Sequence, residues 1–167
     1  MAAQKKDGMN KLNKAYGFSA EQAAKQASKW DNTQYNQVAA WINKVMGKQE
    51  LEKDKDAKYL QSKLENGVLL CNFINKIQPN SVKGKAIKQM VGKTIFDNQR
   101  ISMFITTAKK LGLPDHSSFS GPDLRDGSNV TQVLIGLYSF GRACHNKKIG
   151  QGGISAKAKV GNQAWKI

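Results

Sequence analysis

Long apolar runs are missing from this 167-residue chain. Its strongly apolar stretches are short, Val68-Leu69-Leu70-Cys71 among the longest, against the roughly 20 residues that span a bilayer. Membrane insertion is therefore not expected. The opening MAAQKKDGMNKLNKAYG has no apolar core of the length that a secretory signal needs. Cysteine is scarce: Cys71 and Cys144 form no disulfide framework. Both fall in apolar helical stretches and read as buried thiols. A reducing, cytoplasmic setting follows, in which the glycosylation triplet Asn129-Val130-Thr131 is idle.

Histidine is equally scarce. His116 and His145 are the only two and sit on separate elements. Cys144 and His145 are neighbours, but adjacent helical residues point about 100° apart, so they make no dyad. No Ser/His/Asp set or paired carboxylates stand out, and no catalytic residue is expected. Gly92-Lys93-Thr94 resembles the end of a phosphate loop, yet Ile87 occupies the position of its first glycine and no strand precedes it. Asp54, Asp56 and Glu65 echo a calcium loop, but Lys58 and Tyr59 stand where a ligand and the turn glycine belong. The chain reads as a non-enzyme with no metal or cofactor.

Acids are also few: 12 Asp and Glu against 27 Lys and Arg, a formal net charge of +15. This excess favours an acidic or anionic partner. It is unevenly spread. Residues 66–114 carry eight basic side chains and one acid, Asp97, whereas 115–127 carry one base and three acids. Residues 128–167 carry six bases and no acid.

Period-2 alternation is nowhere sustained, and helical signals are frequent, so the class is all-α. Residues 1–18 read as a flexible N-terminal arm and 19–30 as an Ala-rich flanking helix opened by the capping pattern Ser19-Ala20-Glu21-Gln22. Asp31 begins the next helix, where Val38, Trp41, Ile42 and Val45 share one face and Gly47 ends it. The segment 47–58 reads as a solvated, mixed-charge linker. A short helix near Tyr59–Leu64 precedes an apolar central helix capped by Asn66 and stopped by Pro79. Residues 78–93 form a basic irregular connection. Asp97 or Asn98 starts a helix with the stripe Ile101, Phe104, Ile105, Ala108 and Leu111. A one-turn helix opens at Ser120, and Asn129 caps a last helix bearing Val130, Val133, Leu134, Leu137 and Tyr138. The expected core centres on Leu69, Leu70, Phe73 and Ile74, with Trp41 and Phe104 packed on them. Residues 146–167 read as a basic Gly/Lys tail with charge but no apolar stripe.

These pieces resemble a known family. YNQVAAWINKVM (35–46) resembles the first helix of calponin-homology domains, and LENGVLLCNFINKIQP (64–79) their most recognisable stretch. FDNQRISMFITTAKKLGL (96–113) and SFSGPDLRDGSNVTQVLIGLYSFGR (118–142) resemble the two helical segments that follow. The resemblance implies a calponin-homology domain over 31–145, with four main helices plus short connecting helices. The layout is similar to single-domain calponin and transgelin-type proteins. Those proteins carry a Gly-rich repeat after the domain; the tail here offers only Ile149-Gly150-Gln151-Gly152-Gly153-Ile154-Ser155, which does not match it.

What the resemblance implies is a cytoplasmic, cytoskeletal monomer that binds filamentous actin. Family contacts map to the first helix, with Lys44 and Lys48, and to the basic stretch Lys83, Lys85, Lys88, Lys93, Arg100, Lys109 and Lys110. The charge count independently favours the second region. Lys147, Lys148, Lys157 and Lys159 are candidate tail contacts. Trp30 and Trp41 read as core, and Trp165 as either an exposed anchor or part of a disordered end. Three alternatives stay open: a signalling scaffold for a protein partner, a microtubule binder, and charge-driven binding of nucleic acid or anionic lipid. The basic stretches lack interleaved aromatics, so no specific nucleic-acid role is expected.

Overall fold

A computed structural model describes residues 29–155. The expected arm, the flanking helix up to residue 28, and Lys157, Lys159 and Trp165 lie outside them. Within the described residues seven α-helices follow one another: α1 (Asn32–Met46), α2 (Ala57–Leu64), α3 (Val68–Ile77), α4 (Gly84–Ile87), α5 (Thr94–Lys110), α6 (Gly121–Arg125) and α7 (Val130–Lys147). Short 3-10 turns occupy Asp115–Ser117 and Gly150–Gly152, and the described residues contain no strand. The four long helices α1, α3, α5 and α7 build the core, as the periodicity predicts.

Side chains that satisfy orphan backbone donors set most helix starts. The Asp31 carboxylate accepts from Gln34 N–H at 3.1 Å, and Asp56 does the same for Tyr59 N–H at 2.9 Å. At α6, Ser120 and Asp123 form a reciprocal capping box with Pro122 in the first turn. Asn129 accepts from Gln132 N–H to open α7. Two expected starts shift. The residue preceding α3 is Gly67, while the Asn66 side chain accepts from Val68 N–H. Gly67 has φ +76°, and a Cβ there would come within 2.6 Å of the Arg100 Cβ. Glycine thus serves both the turn and the close approach of α3 to α5. Helix α5 begins at Thr94, not at Asp97 or Asn98. Asp97 is one turn inside, where its carboxylate pairs with Arg100 and Arg125 instead of capping.

Each long helix gives one aromatic ring to a shared cluster. Trp41 of α1 meets Phe73 of α3 edge-on at 4.9 Å and Phe140 of α7 at 5.6 Å. Phe104 of α5 meets Phe140 edge-on at 5.9 Å and Phe73 at 6.4 Å. Such edge-on contacts contribute about 0.5–1.5 kcal/mol each beyond area burial. Leu70, Phe73 and Ile74 are fully buried. Leu69 is only half-buried, because it sits one residue off the stripe. On α5, Ile101, Phe104 and Ala108 are buried while Ile105 is half-buried, as is Leu111 just past its end.

Two segments read as loose are pinned. In 47–58, Leu51 is fully buried. The buried Asn43 amide accepts from Leu51 N–H and donates to the Leu51 carbonyl, at 2.9 and 2.8 Å. Tyr35 Oη donates to the Glu52 carbonyl. A lone leucine in a charge run has no period, so sequence pattern cannot find it. The expected tail also folds back from Ile149. Trp41 Nε1 donates to Gly150 O at 2.8 Å, and Ile154 is 2% exposed. Ile154 N–H donates to Gly141 O at 2.8 Å, and Arg142 Nη1 to Ile154 O at 2.7 Å. Ile154 packs where Gly141 lacks a side chain; a Cβ there would run into it. The tail therefore carries one core residue as well as charge.

Phe73→Ala is expected to cost about 3–5 kcal/mol and Ile154→Ala about 2–5 kcal/mol. Chemical denaturation measures both. An unchanged midpoint for Ile154→Ala would remove residues 149–154 from the core.

Candidate filament-binding surface

Among the described residues, every candidate cation but one reaches solvent. Lys44 and Lys48 are exposed at the end of α1, with Lys48 Nζ 3.1 Å from Glu50. Lys83, Lys85, Lys88 and Lys93 are exposed along the connection that contains α4, and among the described residues no ion pair engages them. Lys109 and Lys110 are exposed at the end of α5, where Lys109 pairs with Asp115 at 3.2 Å. Lys147 and Lys148 are exposed at the end of α7. Near the first group, Lys48 and Lys76 line one open depression of about 550 Å³ with Met46, Asn72, Asn75, Pro79 and Asn80. The exposed Lys76 was missed by sequence reasoning, because it falls in the apolar helix; its charge was already part of the basic excess.

Arg100 departs from expectation. It is fully buried and cannot touch a filament. Its guanidinium pairs with Asp97 and donates to Asn66 O at 2.6 Å and Gln89 O at 2.8 Å. Asp97, itself 1% exposed, receives Arg100 on one oxygen and Arg125 Nε on the other at 3.0 Å. The same Asp97 also accepts from Gly92 N–H at 3.0 Å. A buried cation must find partners for its donors, since leaving them unpaired is costly. The sequence shows Arg100 four residues from Phe104 and three from Asp97. Spacing alone does not say which side of the helix faces inward for a charged residue.

The network changes the meaning of the charge count. The one acid in residues 66–114 is inside and neutralised, so the surface of that region carries cations unopposed by its own acids. Lys93 stands at the N-terminal end of α5 without a capping bond. A cation there opposes the helix dipole by about 0.3–1 kcal/mol.

Other chemistry is sparse. No group of three or more His, Cys, Asp or Glu that could hold a metal occurs among the described residues. Asp54 accepts from Asn32 and Asn36, bonds that hold its carboxyl below the usual range. Burial pushes the Cys71 and Cys144 thiols up to about 12. Among the described residues no helix is long and apolar enough to cross a membrane.

A family model for the calponin homology (CH) domain matches residues 32–146. The chain belongs to the calponin-homology family, a non-enzymatic binding fold whose members commonly engage the actin cytoskeleton. It is 36% identical over 104 residues to a calponin homology and LIM domain-containing protein of Dictyostelium discoideum, covering 62% of this chain and 14% of that one. It is 30% identical over 128 residues to myophilin of Echinococcus granulosus, covering 77% and 64%. The chain thus spans less than two thirds of either relative's length. The calponin-homology domain of Rng2 from Schizosaccharomyces pombe superposes with a TM-score of 0.62 at 17% identity, over 84% of this chain and 86% of that one.

Asp97→Ala strands Arg100 and Arg125 and is expected to destabilise the fold by about 3–5 kcal/mol; a melting curve like the parent's would show that the network holds nothing. The two thiols retain protons that the unfolded chain releases near its ordinary value of 9.0. Their stabilising effect is therefore complete below about pH 9 and falls as pH rises towards about 12. At pH 8 a thiol reagent should leave the native protein unlabelled and react with both cysteines once it is unfolded.

Proposed function

We propose that this protein is a cytoplasmic, cytoskeletal actin-filament binder acting as a monomer. Its contacts are Lys83, Lys85, Lys88 and Lys93, supported by Lys44, Lys48, Lys76, Lys109 and Lys110. One observation carries this reading. Four lysines are exposed along residues 83–93, with no ion pair among the described residues, while Asp97, the sole acid of residues 66–114, is buried. These four side chains are exposed, and Lys93 opposes its helix dipole. Actin filaments are acidic, and like-with-unlike surface charge steers association. Family membership supplies the choice of partner. Lys147 and Lys148 lie at the end of another long helix and provide the second contact that bundling needs.

Co-sedimentation of the full chain with actin filaments and, side by side, with microtubules tests this. Pelleting with actin is expected, weakening as salt rises, because exposed charges are screened over about 8 Å at physiological ionic strength. The triple change Lys85→Glu, Lys88→Glu, Lys93→Glu should abolish it with the helical signal intact, each exposed site moving stability by no more than about 0.5 kcal/mol. No pelleting at low salt would favour a protein scaffold, and stronger pelleting with microtubules would replace actin as the partner.

A further inference from the structure

Among the described residues, only four large apolar side chains are classed as exposed: Met90 at 64%, Val91 at 59%, Ile95 at 60% and Ile135 at 41%. Ile135 stands apart on α7. The other three fall within six residues of one another, between Lys88 and Phe96. Five residues of extended chain reach about 17 Å at most, so the three lie on one short stretch of exposed chain. A single exposed aliphatic needs no explanation, but a group rimmed by charge marks an interaction surface.

The backbone beneath these side chains is held from inside. Arg100 Nη1 donates to Gln89 O at 2.8 Å and Nη2 reaches Met90 O at 3.5 Å. Arg125 Nη2 donates to Gly92 O at 3.3 Å and reaches Thr94 Oγ1 at 3.5 Å. Gly92 N–H donates to Asp97. Two guanidiniums and one carboxylate thus fix both ends of a turn whose apolar side chains face water. A surface ordered before binding loses less conformational freedom on binding.

We propose that residues 88–95 form a composite docking element. Its lysines draw in an acidic protein surface, and Met90, Val91 and Ile95 seat in an apolar recess of that surface. This rests on the filament-binding reading above and adds a salt-resistant component to it. Charge complementarity selects the occupant. From 79 to 95 there are four lysines and no acid, which repels a second copy of a chain with net charge +15. The same span has no aromatic residue, whereas membrane-interface anchors are enriched in Trp and Tyr. A protein surface fits better than a lipid one.

The test uses the full chain and a double variant, Met90→Ser with Ile95→Ser, pelleted with actin filaments across a salt series. Both positions are exposed, so the melting midpoint should match the parent's. Affinity should fall at least about tenfold, the scale of a hot-spot truncation. The dependence on salt should keep its slope, because no charge has changed. A parallel Lys88→Gln, Lys93→Gln variant should flatten the slope instead. If the parent chain pellets and the double variant pellets equally well, the apolar element is refuted and the charge-based reading survives. If the parent does not pellet at low salt, both fall together. Vesicles of mixed phosphatidylserine and phosphatidylcholine form the last arm. Vesicle binding lost in the double variant, with filament binding unchanged, would assign the element to membranes and overturn the proposal.

Discussion

Burying a guanidinium obliges the surrounding chain to supply acceptors, and Arg100 imposes that requirement on this fold. Its donors take Asp97, the carbonyl of Asn66 and the carbonyl of Gln89. Those three partners come from α5 itself, the turn before α3 and the connection before α5. One side chain therefore fixes where α3 and α5 approach and how the chain between them returns. Gly67 is the steric counterpart, because only a residue without Cβ lets the Arg100 stem pass. Arg125 brings α6 into the same network through the second Asp97 oxygen. Replacing such a buried ion pair by apolar residues is often neutral, whereas removing one partner is costly. Here the network's effect is geometric: it specifies a connection that has little core of its own.

The aromatic cluster and the charge network divide the work. Trp41, Phe73, Phe104 and Phe140 hold the four long helices by area and edge-on contact. Trp41 also reaches beyond the bundle, since its indole N–H holds Gly150 O and so anchors residues 149–154. The cation-rich connection between α3 and α5 receives little from that cluster. Its order comes from Arg100, Asp97 and Arg125, and from the Asn75 amide, which holds the backbone of the buried Val82. The region proposed to meet an acidic partner is thus stabilised in large part by a buried ion pair, Arg100 with Asp97, that the partner cannot reach.

This arrangement links sequence charge to surface charge. A count over residues 66–114 includes Asp97 and Arg100 with the exposed lysines. Folding removes one acid and one base from the surface, leaving the net value unchanged and the exposed character purely basic. Lys83, Lys85, Lys88 and Lys93 lie where their sequence context places them, on a segment too polar to bury. Arg100 does not, because charged residues on a helix are assigned outward unless a partner is known, and its partners are mostly backbone carbonyls that no pattern marks. Met90, Val91 and Ile95 carry no mark of their own either: they lie in or beside a basic stretch that reads as an irregular connection, and bonds from Arg100 and Arg125 hold the turn that exposes them.

Local patterns in this chain settled most of what depends on near neighbours. Asp31, Ser120 and Asn129 announce helix starts because capping bonds span three residues, whereas Asp56 opens α2 from within a stretch that reads as linker. The 3.6-residue stripes announce the buried faces of α1, α3, α5 and α7, and four motifs in order carry the family resemblance. Contacts between distant segments were decided only by tertiary structure. Leu51 is buried because Asn43 satisfies its backbone, and Ile154 because Gly141 leaves it room. Arg100 is buried because Asn66, Gln89 and Asp97 converge on it. Each of these depends on atoms that lie close in space and, for the most part, far apart along the chain, a relation that periodicity and composition do not encode.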